Sequence, residues 1–130
     1  MIMKAKFKNA GMASILIFLT ICFMSFVLVG GWNIPTSAAL KKNPVKSDAN
    51  SKAAGKAEYT KTCKMCHGLT GTGNGKMAGV SNFKSKAFKA LSDGAIFYQI
   101  NTGLGKMPAY KTKIPTDKTK WDLVNYLRTL

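Results

Sequence analysis

No charged residue occurs between positions 9 and 40, and this gap limits what the chain can fold into more than any other feature. At its centre, residues 12–29 form an 18-residue, predominantly apolar run. As a helix at about 1.5 Å per residue, such a run reaches roughly 27 Å, close to the hydrocarbon thickness of a bilayer. Lys4, Lys6 and Lys8 precede it, and Gly30, Gly31 and Trp32 follow, with Trp suited to a membrane interface. Residues 1–32 are therefore expected to be a signal-anchor or transmembrane helix. That leaves too little chain for two further domains.

The run is long for a cleaved secretory signal, whose apolar core is usually about 7–15 residues. The small residues Ser37, Ala38 and Ala39 resemble a cleavage site but lie far from the run, so the primary expectation is an uncleaved anchor. Cleavage after Ala39, giving a soluble form, is the alternative. Cys22 follows the bulky Ile21 and sits inside the apolar run, which suits a membrane-buried residue and not a lipid-attachment site. Lysines flank the span on both sides, Lys41, Lys42 and Lys46 after it, so charge alone does not orient it.

Residues 33–52 mix Pro, Ser, Asn, Ala and Lys without an apolar period, the composition of a solvated, flexible linker. Residues 53–130 carry 12 Lys and Arg128 against Glu58, Asp93, Asp117 and Asp122, a net charge of +9 within a whole-chain charge of +15. A domain this small seldom stabilises itself by a side-chain core alone, so a staple, metal or cofactor is expected. Its periodicity predicts three helices. The first, over 53–66, puts Gly55, Tyr59 and Cys63 on one face. The second starts at the N-cap Ser92 and carries Ile96, Phe97 and Ile100 before Asn101 and Gly103 stop it. The third follows Pro115, Thr116 and Asp117 and lays Trp121, Leu123, Val124, Tyr126 and Leu127 along a broad stripe. No segment alternates long enough to be a strand, and the expected fold class is all-α.

The chain has three cysteines, and two of them, Cys63 and Cys66, stand three apart with His67 directly after. They are too close and too few for a disulfide framework. C-x-x-C-H is the pattern of covalent c-type haem attachment. Two thiols on one turn reach the two vinyl groups on one porphyrin edge, and the next residue sets an imidazole under the iron. Structural zinc would need four ligands, and the domain offers Cys63, Cys66 and His67. A thioredoxin-like dithiol would need a βαβ setting. His67 is the only His of the chain, so the sixth iron ligand is Met, Lys, water or nothing. Met65 lies within the attachment loop. Met77 lies ten residues past His67 in a Gly-rich stretch and reads as a pocket or surface residue. Met107 lies 40 residues on, far enough to wrap the haem edge, and Pro108 biases it toward extended backbone. Met107 is the favoured axial ligand beside His67.

Residues 53–130 resemble the mono-haem class I c-type cytochromes. The matching features are Gly55-x-x-x-Tyr59-x-x-x-Cys63 running into Cys63 to Gly68, then Ser92-Asp93-Gly94, then Gly105 to Tyr110, and finally Trp121 to Arg128. The resemblance implies that the first and last helices cross at Gly55 and Tyr59 against Tyr126, with one haem c between them and the Met107 loop. The anchor and linker are similar to those of membrane-anchored members in bacterial respiratory chains. Many members place a Pro shortly after the motif, whose carbonyl orients the proximal imidazole. This chain has no Pro between His67 and Met107, which leaves the partner of His67 open.

Thioether ligation fills the iron and raises its potential, which suits electron transfer without substrate chemistry. Phe83, Phe88, Leu91, Ile96 and Phe97 are candidate core or haem-facing residues. The basic charge suits an acidic redox partner, a quinol-oxidising complex or terminal oxidase, docking on Lys64, Lys76, Lys106 and Lys111 around the haem edge. Haem attachment in the family takes place outside the cytoplasm, which disfavours nucleic acid as a partner. It also places the N-terminus inside, the haem domain on the periplasmic side, and Lys41 and Lys42 near anionic lipid. A tethered shuttle is the first expectation. A fixed haem subunit of a larger complex is the second, and a haem sensor or peroxidase with an open iron is the third.

Overall fold

The computed structural model describes residues 31–77 and 79–130, so the expected membrane segment over 1–32 lies outside the described residues except for Gly31 and Trp32. Trp32, expected at a membrane interface, belongs instead to the compact unit that follows. Among the described residues no helix is long and apolar enough to cross a membrane. The described elements are α1 (Thr36–Ala39), α2 (Ala49–Thr62), α3 (Lys64–His67), α4 (Lys86–Lys89), α5 (Asp93–Thr102) and α6 (Asp117–Leu127). The all-α expectation holds for them, with one isolated bridge between Leu104 and Met107.

Short polar side chains start the helices. The Asp48 carboxylate accepts from the Ser51 amide at 2.9 Å, so α2 begins four residues before its expected start. Ser92 and Thr116 cap α5 and α6, each accepting an amide hydrogen bond at 3.1 Å. Gly103, at φ 60°, ends α5.

α2 and α6 cross at Gly55. A Cβ there would lie 2.6 Å from the Asp122 carbonyl carbon and 2.8 Å from the Tyr126 Cβ, so the two backbones meet where no side chain fits. Beside the crossing, the Tyr59 and Tyr126 rings lie 5.4 Å apart, as the family resemblance implied. The core above it is built from Tyr59, Ile96, Ile114, Trp121, Leu123 and Val124, all fully buried. Phe97 stacks on Trp121 at 4.0 Å and 15°.

The segment expected to be a flexible linker over 33–52 is different. Residues 49–52 belong to α2, residues 36–39 form α1, and the segment between is bound along the helices. Trp32–Leu130 forms one compact unit. Asn43 Nδ2 donates to Asn125 Oδ1 at 2.8 Å, and Asn125 Nδ2 donates to the Val45 carbonyl at 3.2 Å. Ser92 Oγ donates to the Ala39 carbonyl at 2.6 Å. The Lys41 ammonium stands 4.7 Å from the Phe97 ring centroid. Gly94 permits the approach, since a Cβ there would meet the Lys41 amide nitrogen at 3.0 Å. These attachments use carbonyls, amides and one cation, and so leave no apolar period in the sequence.

Candidate functional site

The site grows from the end of α2. Cys63 caps that helix, and the single turn of α3 then carries Cys66 and ends on His67. Gly68, at φ 81°, turns the chain away, and its carbonyl accepts the Tyr59 hydroxyl at 2.6 Å. The Gly-rich stretch folds back over α3, with the Lys76 amide donating to the Met65 carbonyl at 2.8 Å and Gly73 to His67 at 3.0 Å. Gly75 is required where this stretch passes the Cys66 carbonyl, because a Cβ there would overlap it.

On the far side, Leu104 and Met107 exchange two backbone hydrogen bonds of 2.9 and 3.0 Å, closing a tight turn with Gly105 at φ 57°. The turn is fixed to the rest of the site through Tyr110. Its amide donates to the Ile100 carbonyl at 2.9 Å, and its hydroxyl donates to the Thr62 carbonyl at 3.2 Å.

Between these parts lie two adjoining cavities. One of about 300 Å³ is lined by Cys63, Cys66, His67, Met77, Met107 and Tyr110, among others. The second, about 340 Å³, shares Cys63, His67 and Met107 and runs into the apolar interior at Phe88, Ile96 and Leu127. All four residues expected to hold the haem thus reach one cavity. Met77 also reaches the first, where the Cys66 thiol lies 3.4 Å from its sulfur. Met107 alone of the two thioethers lines both cavities.

His67 is buried, and its ring stacks on Phe83 at 4.6 Å and 23°. Its Nδ1 lies 3.4 Å from the Ser81 carbonyl oxygen. An Nδ1–H donated there leaves Nε2 with its lone pair for a metal. Burial lowers the His67 pKa, opposed in part by Ser81, and so favours the neutral imidazole that ligates iron. The Ser81 carbonyl is therefore the partner of His67 that the sequence left open. No side-chain signal could have shown this, because any residue has a carbonyl and only the loop's path decides which one arrives. Burial also pushes the Cys63 thiol up to about 11, opposed by the Thr62 hydroxyl 3.3 Å away. Cys63 and Cys66 are not joined as a disulfide.

This donor set fits a haem: two free thiols on one turn, a neutral imidazole and a thioether, all facing a space walled by aromatic and aliphatic side chains. Cavities of this size are in the range that holds cofactors. Of the lysines expected around the haem edge, Lys106 lines the first cavity, and Lys64, Lys76 and Lys111 are exposed. Sequence reasoning missed the apolar component of this surface. Met65 and Leu104 are 64% and 53% exposed, each within two residues of one of those lysines.

An all-helical domain with this site has the form of a mono-haem c-type cytochrome. The sequence profile of one cytochrome family, described as cytochrome C oxidase, cbb3-type, subunit III, matches residues 50–127, and the chain belongs to that family. A search among curated proteins returns no match. As a member of the family the protein binds haem c and is a haem-based electron carrier.

Proposed function

We propose that this protein carries one electron at a time in a respiratory-type chain, through a single haem joined covalently to Cys63 and Cys66 and ligated by His67 and Met107. The observation that carries the reading is the convergence of two thiols, one imidazole and the Met107 thioether on one cavity. One-electron chemistry between ferric and ferrous iron is what the haem supplies when bound. The chain's residues set the conditions. The Ser81 carbonyl orients the imidazole, and Phe83 packs along it. The Leu104–Met107 turn presents the thioether and favours ferrous iron. Ligation by both His67 and Met107 would leave the iron no position for substrate. That weighs against a sensor or peroxidase.

The surface around Lys106, with Lys64, Lys76, Lys111 and the exposed Met65 and Leu104, suits transient docking of an acidic redox protein. Apolar contact holds such an encounter and charge guides it. The apolar run over 12–29 anchors the protein in the cell membrane, with the haem domain on the periplasmic side and lipid as a second partner. Edman sequencing that begins at Leu40 would replace this anchored form with a cleaved, soluble one.

A fixed haem subunit of an oxidase-type complex is the second reading, and one observation favours it. The segment over 33–48 is bound to the helices, so it no longer supplies a long coil on which the domain can swing. The description of the family, as an oxidase subunit, agrees. Native purification after detergent extraction separates the two, because stoichiometric co-purifying subunits identify the fixed form. The haem assignment is tested by acid-acetone extraction. Haem should stay on the wild-type chain and leave a Cys63→Ala, Cys66→Ala double variant.

A further inference from the structure

Upstream of α1 the chain forms no helix, and within it Trp32 and Ile34 are half-buried while Gly31, Asn33 and Pro35 are exposed. This is the period-two pattern of an extended segment with one face packed. Trp32 lines both cavities of the site, beside Cys63, His67 and Met107, and Ile34 lines the second. Both residues lie outside the family match, which begins at residue 50. The indole therefore reaches the site from outside the residues that the family profile matches.

We propose that Trp32 is a haem-packing residue and that the bound segment over 32–48 is the strap that holds it against the crevice. The proposal rests on the haem reading above. Trp32 has the bulk to cover an apolar opening and no charge to draw water into it. Its position depends on anchors that do not line the cavities. These are the Ala39 carbonyl on Ser92, the Lys41 ammonium over Phe97, and Asn43 on Asn125. A solvated linker would need none of them. Covered in this way, the iron's surroundings are drier than the family domain alone makes them, and a drier site favours the ferrous form with its lower charge. Exogenous ligands that displace the thioether must wait for the strap to lift, a local opening that does not require unfolding.

The test uses the full chain, matured with haem and held in detergent, as wild type, Trp32→Ala, Trp32→Phe and Asn43→Ala. A pyridine haemochrome assay first establishes covalent haem in each; its absence from the wild type is failure of the haem reading, not of the strap. Cyanide binding to the ferric protein and the midpoint potential are then measured. Trp32→Ala should bind cyanide roughly tenfold faster, the factor that about 1.4 kcal/mol of lost packing corresponds to, and its potential should fall. Trp32→Phe, which keeps an aromatic body, should stay within about twofold of wild type. Asn43→Ala should also speed cyanide binding, although Asn43 touches neither cavity. If Trp32→Ala leaves both the cyanide rate and the potential at wild-type values, Trp32 is not against the haem. If Trp32→Ala fails to mature, Asn43→Ala decides: an unchanged cyanide rate there removes the strap.

Discussion

Asn125→Ala should release the strap, because Asn125 is the side chain on which most of its polar attachment converges. The residue is 3% exposed. It accepts from Asn43 at 2.8 Å and donates to the Val45 carbonyl at 3.2 Å and to Ser51 Oγ at 2.8 Å. Ser51 keeps a second partner, donating to Asp122 Oδ1 at 2.7 Å, but the Asn43 Nδ2 and the Val45 carbonyl lose theirs. At about 0.5–1.5 kcal/mol net for each bond, three bonds amount to roughly 2–4 kcal/mol. Amide exchange reports where that loss falls. In the wild type the Ala39, Leu40 and Lys41 amides bond to carbonyls within the segment at 2.9–3.1 Å and should be protected. In Asn125→Ala these amides should exchange at least tenfold faster, as such a loss of local stability requires, while α5 keeps its protection. Wild-type amides over 36–45 exchanging at unprotected rates, or a variant identical to wild type there, would refute the reasoning.

Met107→Ala should lower the potential and let carbon monoxide bind the ferrous protein, whereas Met77→Ala should do neither; the reverse result in carbon monoxide titrations would exchange their roles. Burial raises the Tyr59 pKa from 10.0 to about 12, so the folded protein holds a proton there that the unfolded chain gives up. The resulting stability is complete below pH 10 and is lost as pH rises toward 12, and a Tyr59→Phe variant should show a smaller loss across that window in urea midpoints. Gly55→Val should destabilise by about 1–3 kcal/mol through overpacking at the helix crossing, read as a lower denaturation midpoint. Electron transfer from the full-length protein to an acidic acceptor should slow as salt rises, since exposed charges are screened over about 10 Å at 0.1 M. Charge reversal at Lys64, Lys76, Lys106 and Lys111 should slow it more than reversal at Lys42 and Lys46, by stopped-flow oxidation.

What could be read from the sequence, and what could not, divides along one physical line. Side-chain chemistry with a fixed local spacing was legible. The thiols of Cys63 and Cys66, the imidazole of His67, the cap Ser92 and the stripe on α6 all declare themselves within a few residues, and the structure brings the four ligand candidates to one cavity. Backbone-mediated structure was not legible. The Ser81 carbonyl reaches His67 by the path of a loop, and the strap binds through the carbonyls of Ala39 and Val45. Asn43 and Asn125 lie 82 positions apart, and neither carries a local signal of the other. Their pairing depends on the α2–α6 crossing, which exists only once the domain has folded. The same pairing changes the functional balance. Taken as a free coil, residues 33–52 argued for a mobile shuttle. Bound as a strap, they hold Trp32 at the cavity and leave residues 33–48 no long coil.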